Sequence, residues 1–131
     1  MTGERYVHAI FPNAVAQGEV VGLNIVGIDT AYPGAESMNS LKHLVIPIVS
    51  IGAMDGDDVL RWKDGQAMRT VWPTAGRIVG CRLAGEIAGA GAYRTLMLRG
   101  DDVRRYGKQL VDPRFGLGAV ALRTVLPALS A

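Results

Sequence analysis

Gly76-Arg77-Ile78-Val79-Gly80-Cys81-Arg82-Leu83-Ala84, the glycine-rich link from Gly85 to Gly91, and Tyr93-Arg94-Thr95-Leu96-Met97-Leu98-Arg99-Gly100 form the stretch on which the fold turns. It reads as two strands joined by a flexible connection. In the first, Arg77, Val79, Cys81 and Leu83 alternate with Ile78, Gly80, Arg82 and Ala84; in the second, Leu96 and Leu98 alternate with Tyr93, Thr95 and Met97. Neither face is purely polar, as expected of strands that meet something on both sides. The stretch therefore predicts a β-rich fold.

Working outward, strand signals recur between turn residues. Arg5 to Phe11 is mixed-apolar and ends at the turn pair Pro12-Asn13, and Val20 to Ile28 is rich in β-branched residues, with Gly22 and Gly27 at bulge positions. Thr30 to Ser40 reads as a loop. Leu44 to Ile51 reads as a strand whose Pro47 requires an edge or a bulge. Val59 to Lys63 and Ala67 to Trp72 flank Asp64-Gly65, the clearest hairpin signal, the link being either Asp-Gly alone or a longer loop that includes Gln66, and Pro73-Thr74-Ala75-Gly76 turns the chain into Arg77. Ala119 to Leu126 reads either as a last strand or as a short helix ending before Pro127, the strand being preferred. No long 3.6-residue periodicity interrupts this pattern. The expectation is an all-β fold: one domain over 1–131, a β-sandwich or jelly-roll-like barrel of about seven to eight short strands.

Composition sets the outer bounds. Among 131 residues, 49% are hydrophobic and 20% charged, proportions of a globular chain with one core. The longest apolar run, Leu44 to Val49, is too short for a membrane span, and the N-terminus lacks the apolar segment of a secretion signal. A single cysteine, Cys81, excludes an internal disulfide. The net charge of +2 is unevenly distributed: residues 1–60 carry two Lys/Arg against seven carboxylates, net −5, and 61–131 carry twelve against five, net +7. Such polarity fits nucleic acid on the basic side or head-to-tail contact between subunits.

Catalytic and metal motifs fail on inspection. Asp55-Gly56-Asp57-Asp58 lacks the twelfth-position glutamate of a calcium loop, since Gln66 stands there. Gly89-Ala90-Gly91 lacks the third glycine of a dinucleotide loop, and the reading places a strand after it rather than a helix. Cys81 in an alternating strand reads as a small buried hydrophobe, and His8 and His43 as packed or surface residues. Gly56-Asp57-Asp58-Val59 echoes Gly100-Asp101-Asp102-Val103, which reads as two acidic turns before strands. No cofactor, no metal and no enzyme activity are expected. The densest functional signal is basic and aromatic: Tyr93, Arg94, Arg99, Arg104, Arg105, Tyr106 and Lys108, a combination suited to protein interfaces or to phosphate contact with base stacking.

The 76–100 stretch also resembles a recurring element of viral and bacteriophage structural β-sandwiches, in which a strand opening Gly-x-Ile is followed by a small-residue turn and a partner strand. Arg77, Arg82 and Arg94 are more basic than that pattern. The resemblance implies a self-assembling structural protein, a coat or minor capsid component of a phage-like particle, partnered by its own copies and by other shell proteins in a virion or the host cytoplasm. Two alternatives stand beside it. One is an OB-like nucleic-acid-binding barrel using the basic C-terminal half; the other is a small enzyme or ligand-binding barrel with His8, Asp29 or Cys81 at a pocket.

Overall fold

A computed structural model describes residues 9–120. The chain divides into two compact units, 1–38 and 39–131. The elements run α1 (Phe11–Ile25), β1 (Met38–Leu41), β2 (Ile48–Gly52), β3 (Leu60–Asp64), β4 (Ala67–Thr74), β5 (Arg77–Ala84), α2 (Ala90–Arg99) and a 3-10 segment (Arg104–Val111). The expected all-β sandwich or barrel is therefore corrected to a mixed helix-and-sheet fold with one five-stranded sheet of order β1-β2-β5-β4-β3.

In the first unit, Pro12 sits at the start of α1 rather than in a turn. Proline at that position loses nothing, because its missing N–H would have had no intrahelical partner. The β-branched run Val20 to Ile28, expected as a strand, supplies the last turns of α1 and its exit. The helix forms there against the β-propensity of the run, and Gly22 is helical rather than a bulge. The segment after α1 is tied back along it by side chains. Asn13 donates to the Glu36 carbonyl and accepts from the Glu36 N–H, both at 2.9 Å. Asn24 donates to the Thr30 carbonyl at 2.8 Å and accepts from the Thr30 N–H at 3.2 Å. The expected strand over Arg5 to Phe11 lies mostly outside the described residues, and its described end opens the helix.

In the second unit the hairpin expectations hold. Asp64 pairs with Ala67, leaving Gly65 and Gln66 as the turn between β3 and β4. Thr74 pairs with Arg77 across Ala75 and Gly76, whose φ values are 49° and 80°. Two consecutive positive φ values are those of a type I′ turn, whose twist matches the flanking strands. Pro47 immediately precedes β2, and its carbonyl accepts from the Gly85 N–H at 2.9 Å. Val79 is the extra residue of a bulge, since Trp72 pairs with Gly80 and Pro73 with Ile78. The bulge puts Ile78 on the same face as Cys81 and Leu83, against strict alternation. That face, with Val49, Ile51, Arg69 and Val71 in register, is buried.

The Tyr93 to Arg99 run, expected as the partner strand of Arg77–Ala84, is the helix α2. Ala92, Tyr93 and Leu96 recur at helical spacing and are all buried. Gly100 closes the helix in the left-handed region at φ 61°, where a side chain would be strained. Its N–H reaches the Met97 carbonyl and that of Asp101 reaches Leu96, both 3.1 Å, which is the Schellman pattern. α2 packs on β5, and the 3-10 segment packs on β3 and β4. Between these layers the Phe115 ring lies 5.4 Å from both Tyr93 and Tyr106. Residues 117–120 begin a further helical turn, so the preferred C-terminal strand is not formed where the chain is described. The two Gly-Asp-Asp-Val stretches lead into different elements, a strand and a 3-10 segment.

Candidate interaction site

The seven residues singled out by the basic and aromatic pattern do come from one stretch, but they divide into two groups. Tyr93 is fully buried on α2, and Tyr106 is buried on the 3-10 segment. Their rings fill the core around Phe115, so neither face is offered to a base. Arg94, Arg99, Arg104, Arg105 and Lys108 are exposed.

The exposed arginines are largely neutralised at home. Asp102 accepts from the Arg104 backbone N–H and from its Nε, both at 3.0 Å. Asp112 does the same for Arg114, with N–H at 2.8 Å and Nε at 3.0 Å. In both Asp-x-Arg turns these hydrogen bonds hold the carboxyl at about 2, below its ordinary range. Arg99 Nε lies 3.3 Å from Asp101 Oδ2. Arg105 stacks over the Tyr106 ring at 5.0 Å. Each of these Asp-x-Arg turns places one carboxylate on one guanidinium, so Arg104 and Arg114 present less net positive charge than isolated arginines would.

Beneath this rim lies a buried polar centre that the sequence reading missed. Arg69, on the buried face of β4, is only 1% exposed. Its Nη2 donates to the Pro113 carbonyl at 2.7 Å, and its Nη1 donates to the carbonyls of Asp112 at 3.0 Å and Phe115 at 3.2 Å, with Tyr93 Oη at 3.4 Å. The Tyr93 hydroxyl in turn donates to the Leu110 carbonyl. Three backbone carbonyls of one segment thus converge on one buried cation. Burial pushes the Tyr93 hydroxyl up, and the nearby guanidinium opposes that shift. The period-2 position of Arg69, in register with Leu83, was the one signal that it faces inward.

The glycine run before α2 belongs to the same centre. A helix does open there, contrary to the expected strand, yet Arg94 stands where a dinucleotide loop has its third glycine. A side chain at Gly89 would meet the Phe115 carbonyl at 2.7 Å and Arg69 Nη1 at 3.1 Å. Gly89 is therefore small because protein, rather than a phosphate, lies against it.

The residues proposed for an enzymatic pocket differ in burial. Cys81 is fully buried in β5, and burial pushes its thiol up to about 12. Asp29 and His43 are exposed, and His8 lies outside the described residues. Among the described residues no group of three His, Cys, Asp or Glu is placed to hold a metal ion. Among them, too, no helix is long and apolar enough to cross a membrane.

No protein-family model matches the sequence, and no curated protein matches it. Among solved structures the chain is similar in fold to the crystal structure of NADH:rubredoxin oxidoreductase from Clostridium acetobutylicum, with a TM-score of 0.59 and 20% identity. The match covers 88% of this chain and 29% of that one, so the chain spans less than a third of the length of the protein it resembles. A match of that extent necessarily takes in part of both units. It overturns the expectation of a coat or minor capsid subunit: the sandwich on which that reading rested is absent, and the matching fold occurs in an oxidoreductase.

Proposed function

We propose that this chain is a domain of an NADH-dependent electron-transfer oxidoreductase, contributing protein surface while the redox chemistry takes place on a larger remainder. The observation that carries this reading is the fold likeness across nearly the whole chain to a segment of NADH:rubredoxin oxidoreductase. Two features of the chain agree with a supporting role. Its one thiol is buried in β5 and held protonated, a poor nucleophile. The buried polar centre around Arg69 is occupied by the chain's own carbonyls.

The test is co-fractionation at natural expression levels. The tagged chain is followed through sizing and ion-exchange columns alongside NADH-dependent reduction of ferricyanide. The expected result is co-elution, with removal of the chain on affinity resin taking NADH-oxidising activity with it. Activity that stays wholly in the unbound fraction while the chain is captured would count against the proposal.

A further inference from the structure

The two faces of the sheet carry different chemistry. α2 packs on β5 and the 3-10 segment on β3 and β4, over the face that holds Arg69, Val71, Cys81 and Leu83. On the opposite face the register sets Arg61, Thr70, Arg82 and Ser50 in one row across β3, β4, β5 and β2, and Lys63, Met68, Ala84 and Ile48 in the next. Trp72 and Gly80 begin a third row. There the β2–β3 connection crosses the sheet end: a side chain on Gly80 would meet the Ala53 carbonyl, and one on Gly56 would meet Trp72 Cβ at 3.0 Å. All of these residues belong to the second unit.

Three cations stand together on this face. From strand geometry, the Arg61 backbone lies about 7 Å from that of Lys63 and about 10 Å from that of Arg82. Among the described residues none of the three has a carboxylate at ion-pair distance, whereas Arg99, Arg104 and Arg114 each have one. Arg82 Nη2 turns instead to the Met54 sulfur, a weak acceptor. Between the cations lie Ile48, Met68 and Trp72, all half-buried. Arginine, methionine and aromatic side chains are the types enriched where proteins meet.

Carboxylates border the face at one end only. The Asp57 N–H donates to Thr74 Oγ1 at 3.1 Å and the Asp58 N–H to the Pro73 carbonyl at 3.2 Å, which fixes the acidic 55–58 stretch at the Trp72 end of β4. A polyphosphate chain laid along the strands runs onto those carboxylates. A folded protein can instead set a few carboxylates over the cations and aliphatic groups over Ile48 and Met68. The face measures about 14 Å each way, far less than the roughly 800 Å² per partner of a stable dimer. Its size suits a brief encounter rather than a permanent second copy.

We infer that this sheet face receives a carboxylate-rich surface of another protein in a transient encounter. Arg61, Lys63 and Arg82 take the carboxylates, and Ile48, Met68 and Trp72 take the apolar groups between them. This contact goes beyond the proposed function and stands independently of it.

The test titrates the isotopically labelled full chain with a designed helical peptide bearing glutamates and leucines on one face, with its glutamine counterpart, and with oligothymidylate. The expected result is chemical-shift change confined to the Arg61, Lys63, Thr70 and Arg82 amides and the Trp72 indole, for the glutamate peptide alone and weakening with salt. Arg61→Gln/Lys63→Gln, a change at two exposed positions, lowers affinity about tenfold with an unchanged urea midpoint. Arg104→Gln/Arg114→Gln, which removes paired guanidiniums, changes it by less than about twofold. Equal losses in the two variants, shifts spread over α2 and the 3-10 segment, or no binding overturn the docking face. Tighter binding of oligothymidylate at these residues assigns the face to nucleic acid and overturns the protein partner. Concentration-dependent shifts at the same residues without peptide assign it to a second copy and overturn it equally.

Discussion

Replacing Arg69 with methionine tests whether the buried guanidinium holds the 110–115 segment onto the sheet. The change keeps an unbranched apolar stem of similar reach and removes every donor. Two of the lost bonds are short, to Pro113 at 2.7 Å and Asp112 at 3.0 Å, and two are longer, to Phe115 at 3.2 Å and Tyr93 at 3.4 Å. Hydrogen bonds from a charged donor contribute about 1.5–3 kcal/mol each, so the short pair alone represents about 3–6 kcal/mol. Against this, burying a cation costs several kcal/mol, and methionine relieves that cost. The net expectation is a loss of about 2–4 kcal/mol, a large share of a typical domain's stability. Urea unfolding followed by circular dichroism reads the loss. Hydrogen exchange locates it, because the Asp112 and Phe115 amides are bonded to the Gln109 and Asp112 carbonyls within the clamped segment. Those two amides should lose protection before the β4–β5 ladder does. A loss below about 1 kcal/mol with both amides still protected would refute the clamp. Arg69→Lys should fall between, since an ammonium keeps the charge but not the planar fork.

Two further outcomes follow from single residues. Ala75 holds φ 49° in the turn joining β4 and β5, a conformation that costs a non-glycine residue about 1 kcal/mol. Ala75→Gly or Ala75→Asn should therefore raise stability by about 0.5–1 kcal/mol, read as a higher urea midpoint; an unchanged or lower midpoint for both would contradict the turn assignment. Burial raises the Cys81 thiol from 9.0 to about 12, so below pH 9 it is neutral in both the folded and the unfolded chain and the folded state keeps its full stability. As pH rises past 9 the unfolded thiol ionises first, and stability falls until about 12, by about 1.4 kcal/mol per pH unit. Cys81→Ala should flatten the slope between pH 9.5 and 11 by about that amount, leaving the part due to Tyr93; identical slopes would show that Cys81 is not the buried group assigned here.

Local chemistry carried much of the sheet and almost none of the helices. Gly65, Ala75 and Gly76 turn the chain at positive φ, which few residues tolerate, and the strands beside them, β3, β4 and β5, were legible from the turn residues and from alternation. Tyr93 to Arg99 was not. A run of seven residues with apolar side chains at Tyr93, Leu96, Met97 and Leu98 satisfies a period of 2 as well as one of 3.6, and the contacts that bury Tyr93, with Arg69, Leu110 and Phe115, come from other elements. The one local clue was Gly100, whose position after Arg99 suits a helix end as well as a strand boundary. α1 was hidden in the same way: Pro12-Asn13 is a turn pair in isolation and a helix start when the residues after it coil.

The sequence by itself determined where the sheet turns at Gly65 and at Ala75-Gly76, which strands neighbour each other through those tight hairpins, and that Cys81 sits on an inward face. Those properties depend on the dihedral preferences of one or two residues and on side chains alternating along a strand. Only the tertiary structure decided that Tyr93 and Tyr106 are core and that Arg69 gathers the carbonyls of Asp112, Pro113 and Phe115. Each depends on which surfaces meet. Burial is a property of a place in space, and residues more than forty positions apart acquire that place together only when the chain has folded.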